Sequence, residues 1–462
     1  MVRLGKKIKS ELSALILSST VPALSRISNQ GLLRLTYIAE KILMHSDPII
    51  KSALRELRNY FRQNHPSVEL AKRILRDLNP RCKRALIRNF FINAIFKEVS
   101  QSKKFQDIAG FEPPWFLVLS PTMRCNLNCL GCSTRNYTKD DDLPIEVIDR
   151  LLNEAKQMGI HFIVTQGGEM FVYREMMQVY KKHKDIYFQV YTNGTLIDKD
   201  MAKTLVRLGN VAPMISLEGF RESTDRRRGK GVFDKVMQAM DNLRQAGCFF
   251  GASVTQTKDN SDEITSDEFF KMLVDKGCYV VWFFQFLPIG KDPDIGIMAT
   301  PLQRQQLWRK IAQIRERLPI FVGDFWNDGP FVGGCIAAGR RYVHINNKGD
   351  IEPCAFIHFA VDNIKNKSLK EALNSDFFRY LRNIQPFGDN LLTPCMIIDN
   401  PKVLREAIAR SGARPTHQGA EVILEDPIRK YLDEYSRQMK EITEPIWRSF
   451  KKTDINVPPN LA

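Results

Sequence analysis

What this chain has little of narrows its class quickly. Nine cysteines in 462 residues are too few for a disulfide scaffold, and their clustering suits metal binding in a reducing cytoplasm. No stretch is apolar enough to cross a bilayer. The longest candidate, Leu12 to Leu24, is broken by Ser18, Ser19, Thr20 and Pro22 and falls short of the roughly 20 residues a span requires. It also lacks a small-residue cleavage pattern, so no secretion signal is expected. There is no internal repeat, no low-complexity tract and no recognisable RNA- or DNA-binding motif, which makes nucleic acid an unlikely partner. The seven histidines fall in no recognisable catalytic pattern. Hydrophobic residues at 44% and charged residues at 26% are ordinary for a globular protein, and the length exceeds one comfortable core.

Acidic residues are scarce in one place only. Residues 1–110 hold 21 Lys or Arg against 8 Asp or Glu, a charge of +13, whereas the other 352 residues carry only +3. A basic block of this kind suits an anionic membrane surface, an acidic partner or nucleic acid, and equally a solvated helical face. It reads as helices. Val68, Ala71, Leu75 and Leu78 recur at spacings of three and four on one face, and Asn79-Pro80 pairs a capping residue with proline at the first helical position.

After Pro113-Pro114 the rhythm changes. Short apolar runs at 115–120, 162–165, 186–191, 213–217, 249–256 and 279–287 alternate with helical patterns such as Ile145, Ile148, Leu152 and Ala155. Six such βα repeats predict a parallel sheet with helices outside. Beyond about residue 320 the alternation fades, and a helical stripe resumes after Asp426-Pro427 with Ile428, Tyr431, Leu432, Tyr435, Met439 and Ile442. The expected division is a basic helical segment 1–112, a βα body 113–320, a cysteine-containing region 321–400 and a helical tail 401–462.

Four segments at strand ends carry the chemistry. Cys125, Cys129 and Cys132 leave the first strand within eight residues, so three thiolates can reach three corners of one iron–sulfur cube. A closed zinc site needs four ligands, whereas a cluster with one unligated iron can bind a small molecule there. Gly167, Gly168 and Glu169 follow the second strand, where glycines let the backbone approach a ligand and a carboxylate can pair with an ammonium. Asn193 ends the third strand, and Ser216 and Glu218 end the fourth, the location where α/β folds place ligands. Each of these last three could also simply cap a turn.

This order of segments, led by C-x3-C-x2-C, resembles the radical S-adenosylmethionine (SAM) superfamily. The resemblance implies a partial (β/α)6 TIM-like barrel and a 4Fe–4S cluster on Cys125, Cys129 and Cys132. It further implies SAM held near Gly167, Gly168, Glu169, Asn193, Ser216 and Glu218. In that family the reduced cluster splits SAM to a 5′-deoxyadenosyl radical that abstracts hydrogen from an unactivated C–H bond, the electron coming from a ferredoxin or flavodoxin. Two departures stand out: Gly131 precedes the third cysteine where the family commonly has an aromatic residue, and Met170 follows Glu169 where proline is common.

Cys335, Gly349 and Cys354, with Cys395 further on, resemble the SPASM or twitch extension that carries auxiliary iron–sulfur clusters, although the later cysteines of the full pattern are missing. The resemblance implies one auxiliary cluster on Cys335, Cys354 and Cys395, its fourth iron open or bound by His344, His358 or Asp399. Tyr342–Ile345 and Asp350–Pro353 are expected to form a hairpin around Asn347-Lys348-Gly349. Cys82, Cys248 and Cys278 read as packing residues. Two loops offer substrate contacts, Asp324, Trp326, Asn327 and Asp328 in one and Arg226, Arg227 and Arg228 in the other. The basic N-terminal segment favours a membrane-lipid substrate and association with the cytoplasmic face. A peptide- or protein-modifying maturase and a non-catalytic iron–sulfur protein are the alternatives.

Overall fold

The computed structural model describes residues 58–132, 141–290 and 293–452, together with residues 30, 31, 33, 34 and 37. The stretch from Leu12 to Leu24 lies outside them.

Six parallel strands occupy the places the apolar runs mark: β1 (Phe116–Thr122), β2 (Phe162–Gly167), β3 (Tyr187–Thr192), β4 (Val211–Leu217), β5 (Gly251–Gln256) and β6 (Val280–Gln285). Two more parallel strands come from beyond residue 320. β7 (Phe321–Asp324) extends the sheet past β6, and β8 (Tyr342–Ile345) pairs with β1 at the other edge. β9 (Ile351–Glu352) turns back antiparallel on β8 with His344 opposite Glu352, which is the expected hairpin. The order is β7-β6-β5-β4-β3-β2-β1-β8-β9.

Alternation along the strands sorts the side chains into two layers. Leu117, Leu119, Ile163, Phe188, Ile215 and Phe283 pack outward against the helices in one core. Phe116, Val118, Phe162, Val164, Tyr191 and Phe284 point the other way and line an internal cavity. Phe325, just past β7, stands 6.2 Å ring to ring from Tyr342 of β8, so the two flanks of the sheet meet across the lumen as a partial barrel.

The helix Pro66–Asp77 starts at His65, whose ring accepts from Ser67 N, and the helix Pro80–Ala85 is capped by Asn79 accepting from Arg81 N. The buried face of the first is rotated from the expected one. Val68 and Leu78 are buried and Leu70 and Ile74 pack on the barrel end, whereas Ala71 is exposed. The reason is Arg73, which is buried with its guanidinium donating to Pro319 O at 2.8 Å. Those bonds set the rotation of the helix, and apolar spacing alone could not show them. Cys82, Cys248 and Cys278 are buried core residues. The tail forms the helix Ile428–Lys452 with Ile428, Leu432, Tyr435 and Met439 buried. Among the described residues no helix is long and apolar enough to cross a membrane.

Candidate active site

The cluster loop leaves β1 and is held by bonds within itself and by one to the helix Arg221–Arg228. Cys132 N donates to Cys129 O at 3.3 Å, Leu130 N to Arg227 O at 2.8 Å, and Leu127 N to Cys125 Sγ at 3.4 Å. Gly131 adopts φ +67°, and a Cβ on it would lie 2.7 Å from Cε2 of Phe286. The aromatic ring at this place therefore comes from the end of β6, and glycine is the residue that leaves it room. Burial raises the Cys125 and Cys129 thiols above their ordinary value, and at Cys129 the charges of Arg228 and Arg227 oppose the rise.

Cys125, Cys129 and Cys132 line one cavity of about 270 Å³ together with Gly167, Gly168, Asn193 and Ser216. The two glycines permit close approach to the cluster loop. A Cβ on Gly167 would meet Thr122 O at 2.3 Å, and one on Gly168 would meet Arg124 O at 2.0 Å. Gly168 N donates to Thr122 O and Glu169 N to Arg124 O. Asn193 Nδ2 donates to Asn126 Oδ1 at 2.8 Å and reaches Cys125 Sγ at 3.6 Å.

The two carboxylates expected beside SAM stand behind this wall. Glu169 is fully buried and does not line the cavity. Its Oε1 accepts from Phe171 N at 3.0 Å and Thr192 Oγ1 at 2.7 Å, and its Oε2 accepts from Asn193 N at 2.7 Å. Burial raises its pKa despite those bonds. Glu218 is likewise buried, paired with Arg227 Nη1 at 2.6 Å and Arg228 Nη2 at 2.5 Å. Those two arginines, expected to await a substrate anion, are thus already committed to a carboxylate inside the protein. Arg226 is half exposed at 3.8 Å from Asp259.

The cavity also recruits Ser120, Ser253, Thr255 and Gln285, which the sequence did not single out, and His344 and His358, which it offered to the auxiliary cluster instead. Ser253, Thr255 and Gln285 follow the same rule as the others, polar residues near the C-terminal ends of β5 and β6. His344 and His358 come from the hairpin region. His344 Nε2 lies 2.7 Å from Ser120 Oγ, and its Nδ1 lies 2.6 Å from Glu352 Oε2. His358 Nδ1 stands 3.5 Å from the same oxygen. Burial works against the Glu352 charge, yet the two imidazoles hold its pKa well below the usual carboxylate range.

Cys335, Cys354 and Cys395 meet on the wall of a second cavity of about 620 Å³, with Phe325, Trp326 and Phe331. Burial pushes Cys354 up to about 12 and Cys395 up to about 11. None of the three fourth ligands considered for an auxiliary cluster lines this cavity. His344 and His358 face the first cavity, and Asp399 is held by Arg304 at 2.6 Å with both side chains fully buried. Asp324 and Asn327 belong to the same buried network, since Asn327 Nδ2 donates to Asp324 Oδ2 and Arg304 Nε donates to Asn327 Oδ1. Of that loop, Trp326, Asp324 and Asp328 reach the second cavity.

The donor sets fit iron–sulfur groups. Each cavity presents three thiols, the ligand type that iron–sulfur groups take. The first cavity also has buried polar atoms with no partner in the protein, Gln285 Oε1, Arg227 Nε and His358 Nε2 among them. A ligand as rich in polar groups as SAM would satisfy such atoms.

Comparison with known proteins points the same way. Residues 119–266 match the model of the radical SAM superfamily, and residues 335–396 match that of an iron–sulfur cluster-binding domain. The chain is 29% identical over 300 residues to mycofactocin maturase MftC of Mycolicibacterium smegmatis, covering 60% of this chain and 75% of that one. It is 29% identical over 180 residues to Fe-coproporphyrin III synthase of Methanosarcina barkeri, where the match spans 38% of this chain and 45% of the relative. Among solved structures, Streptococcus suis SuiB bound to S-adenosylmethionine superposes with a TM-score of 0.54 at 18% identity, covering 65% of this chain and 76% of SuiB. That likeness concerns the fold.

Proposed function

The chain belongs to the radical SAM superfamily and carries an iron–sulfur cluster-binding extension, and from that premise we propose an enzyme that abstracts a hydrogen atom from a C–H bond of a peptide or protein side chain. A 4Fe–4S cluster on Cys125, Cys129 and Cys132, reduced by a ferredoxin or flavodoxin, supplies the reductive cleavage of SAM to a 5′-deoxyadenosyl radical. Cys335, Cys354 and Cys395 are the ligands we assign to an auxiliary cluster.

One observation carries the reading: the cavity that holds the first three thiols has a mixed wall. Phe286, Leu287, Ile289 and Phe356 supply apolar surface to it, and Ser120, Gln285, His344 and His358 supply polar groups. A peptide offers both faces at once, an apolar side chain and a hydrogen-bonding backbone. The match to a maturase supports the same substrate class. In this reading Gly167 and Gly168 admit the ligand's backbone-like end, Asn193 and Ser216 orient it, and Glu169 fixes the strand ends from behind. The aromatic residues of the barrel lumen, Tyr191, Phe284 and Phe356 among them, keep water from the reacting carbon.

A lipid chain is the second reading, favoured by the mostly apolar cavity of about 620 Å³ beside Cys335 and Cys395. The test is anaerobic reconstitution with iron and sulfide, reduction, addition of SAM and chromatographic assay of 5′-deoxyadenosine, with Cys129→Ala as control. About eight iron atoms per chain and 5′-deoxyadenosine lost in the variant support the enzyme with both clusters, and about four leave only the first. Stimulation of 5′-deoxyadenosine by a tryptic peptide pool, and none by phosphatidylglycerol vesicles, supports the peptide reading; the reverse supports lipid. Iron bound without any 5′-deoxyadenosine would leave a non-catalytic iron–sulfur protein.

A further inference from the structure

We infer that Ser120, His344 and Glu352 form a proton relay that takes a proton from the substrate's O–H or N–H group beside the reacting carbon. This rests on reading the first cavity as the substrate cavity. The three residues come from β1, β8 and β9, and all are buried, at 1%, 2% and 0% exposure. Ser120 Oγ and His344 Nε2 are 2.7 Å apart, and His344 Nδ1 and Glu352 Oε2 are 2.6 Å apart. Such an arrangement makes an alcohol a proton acceptor. The carboxylate holds the proton on Nδ1, which leaves the Nε2 lone pair facing the hydroxyl.

The hydrogen-bond supply around Glu352 fixes these roles. Its Oε1 accepts from Asn346 Nδ2 at 3.0 Å and from Thr416 Oγ1, so Oε2 is the oxygen left for the imidazoles. Ser120 and His344 both line the cavity that holds Cys125, Cys129 and Cys132, so the relay ends where a substrate would sit. A network that only braced β8 against β1 would not need a second imidazole on that wall. His358 stands there, stacked on His417 at 4.8 Å, with its Nε2 buried and without a partner.

The step is balanced without a redox partner. The substrate X–H proton passes to Ser120 Oγ as the Ser120 proton passes to His344 Nε2, giving a substrate anion X⁻ and an imidazolium whose Nδ1–H stays on Glu352. Ser120 is the catalytic residue here, and His344 and Glu352 act through it. The charged and titratable groups around His344 are Glu352 and, beyond it, His358; Arg227, Arg228 and the three thiols share the cavity.

Two measurements test the relay. In full-length protein labelled with ¹⁵N-histidine, long-range ¹H–¹⁵N spectra at pH 7.5 should show one imidazole protonated on Nδ1 and bare on Nε2. That signal should vanish in His344→Gln and change tautomer in Glu352→Gln. In the peptide-stimulated assay Ser120→Ala should lose at least tenfold of the wild-type rate, and His344→Gln should lose as much. A proton on Nε2 with Nδ1 bare, or the wild-type rate in both variants, would overturn the relay. Failure of wild-type protein to form 5′-deoxyadenosine would count against the radical reading, and the spectra still decide the relay by themselves.

Discussion

A Cβ placed on Gly131 would stand 2.7 Å from Cε2 of Phe286, so a ring from the end of β6 and a glycine in the cluster loop occupy one space between them. Gly131→Ala meets both that ring and the cost of φ +67° for an L-residue, together about 2–4 kcal/mol of local strain. The variant should fold, because Gly131 is not part of the main core cluster, yet bind less iron after reconstitution. Iron analysis and circular dichroism check this. Gly131→Ala with Phe286→Ala should regain part of the iron, since the clash is relieved and the φ cost stays.

The pair of Arg304 and Asp399 gives a second expectation. Both are fully buried, with Arg304 Nη1 at 2.6 Å from Asp399 Oδ1 and Nη2 at 3.2 Å from Oδ2. Asp399 Oδ2 also accepts from Cys395 N at 3.0 Å. Arg304→Ala leaves a carboxylate buried and uncompensated, a loss of about 3–5 kcal/mol. It should lower the melting temperature and deplete the iron assigned to Cys335, Cys354 and Cys395. Arg304→Met with Asp399→Leu removes both charges and should recover much of the melting temperature without recovering that iron.

The legible and the illegible parts of this molecule divide by distance along the chain. Cys125, Cys129 and Cys132 are neighbours in sequence, and Gly167-Gly168 lies at the end of a strand, so periodicity and spacing reach them. The hairpin was readable too, because Tyr342–Ile345 and Asp350–Pro353 flank a turn. Its partnership with Ser120 was not. That contact spans 224 residues and requires β8 to add beside β1, a pairing that no local pattern announces. The same holds for Arg73, whose acceptor Pro319 O lies 246 residues away, and for the ring of Phe286 against Gly131. Glu169 and Glu218 were expected beside SAM, but burial decides which way a carboxylate faces, and burial is a property of the assembled barrel.

Asp324 makes stability depend on pH. It is buried at the end of β7, and burial first, then the Asp328 charge, pushes its carboxyl up to about 6 from an ordinary 3.8. A folded-state value above the unfolded one adds stability that is fully present below 3.8 and is lost as pH rises through 6. Wild-type protein should therefore lose ground against Asp324→Asn between pH 4 and pH 7, by on the order of 2–3 kcal/mol. Melting temperatures of the two proteins at pH 4.5, 5.5, 6.5 and 7.5 measure it. A difference that does not change with pH would mean that Arg304 and Arg315 keep Asp324 ionised throughout.

Glu169→Gln separates two roles for the carboxylate. Three protein donors converge on it, Phe171 N and Thr192 Oγ1 on one oxygen and Asn193 N on the other. A glutamine supplies one acceptor oxygen and one NH2 group, so whichever way it turns, a donor faces a donor. The unsatisfied group costs about 1–3 kcal/mol in a buried site. The consequence passes to Asn193, which ties the end of β3 to Asn126 in the cluster loop. The variant should therefore melt a few degrees lower before any iron or SAM is added, and should bind SAM more weakly after reconstitution. A carboxylate whose only task was to hold the SAM ammonium would weaken binding and leave the melting temperature of the iron-free protein unchanged.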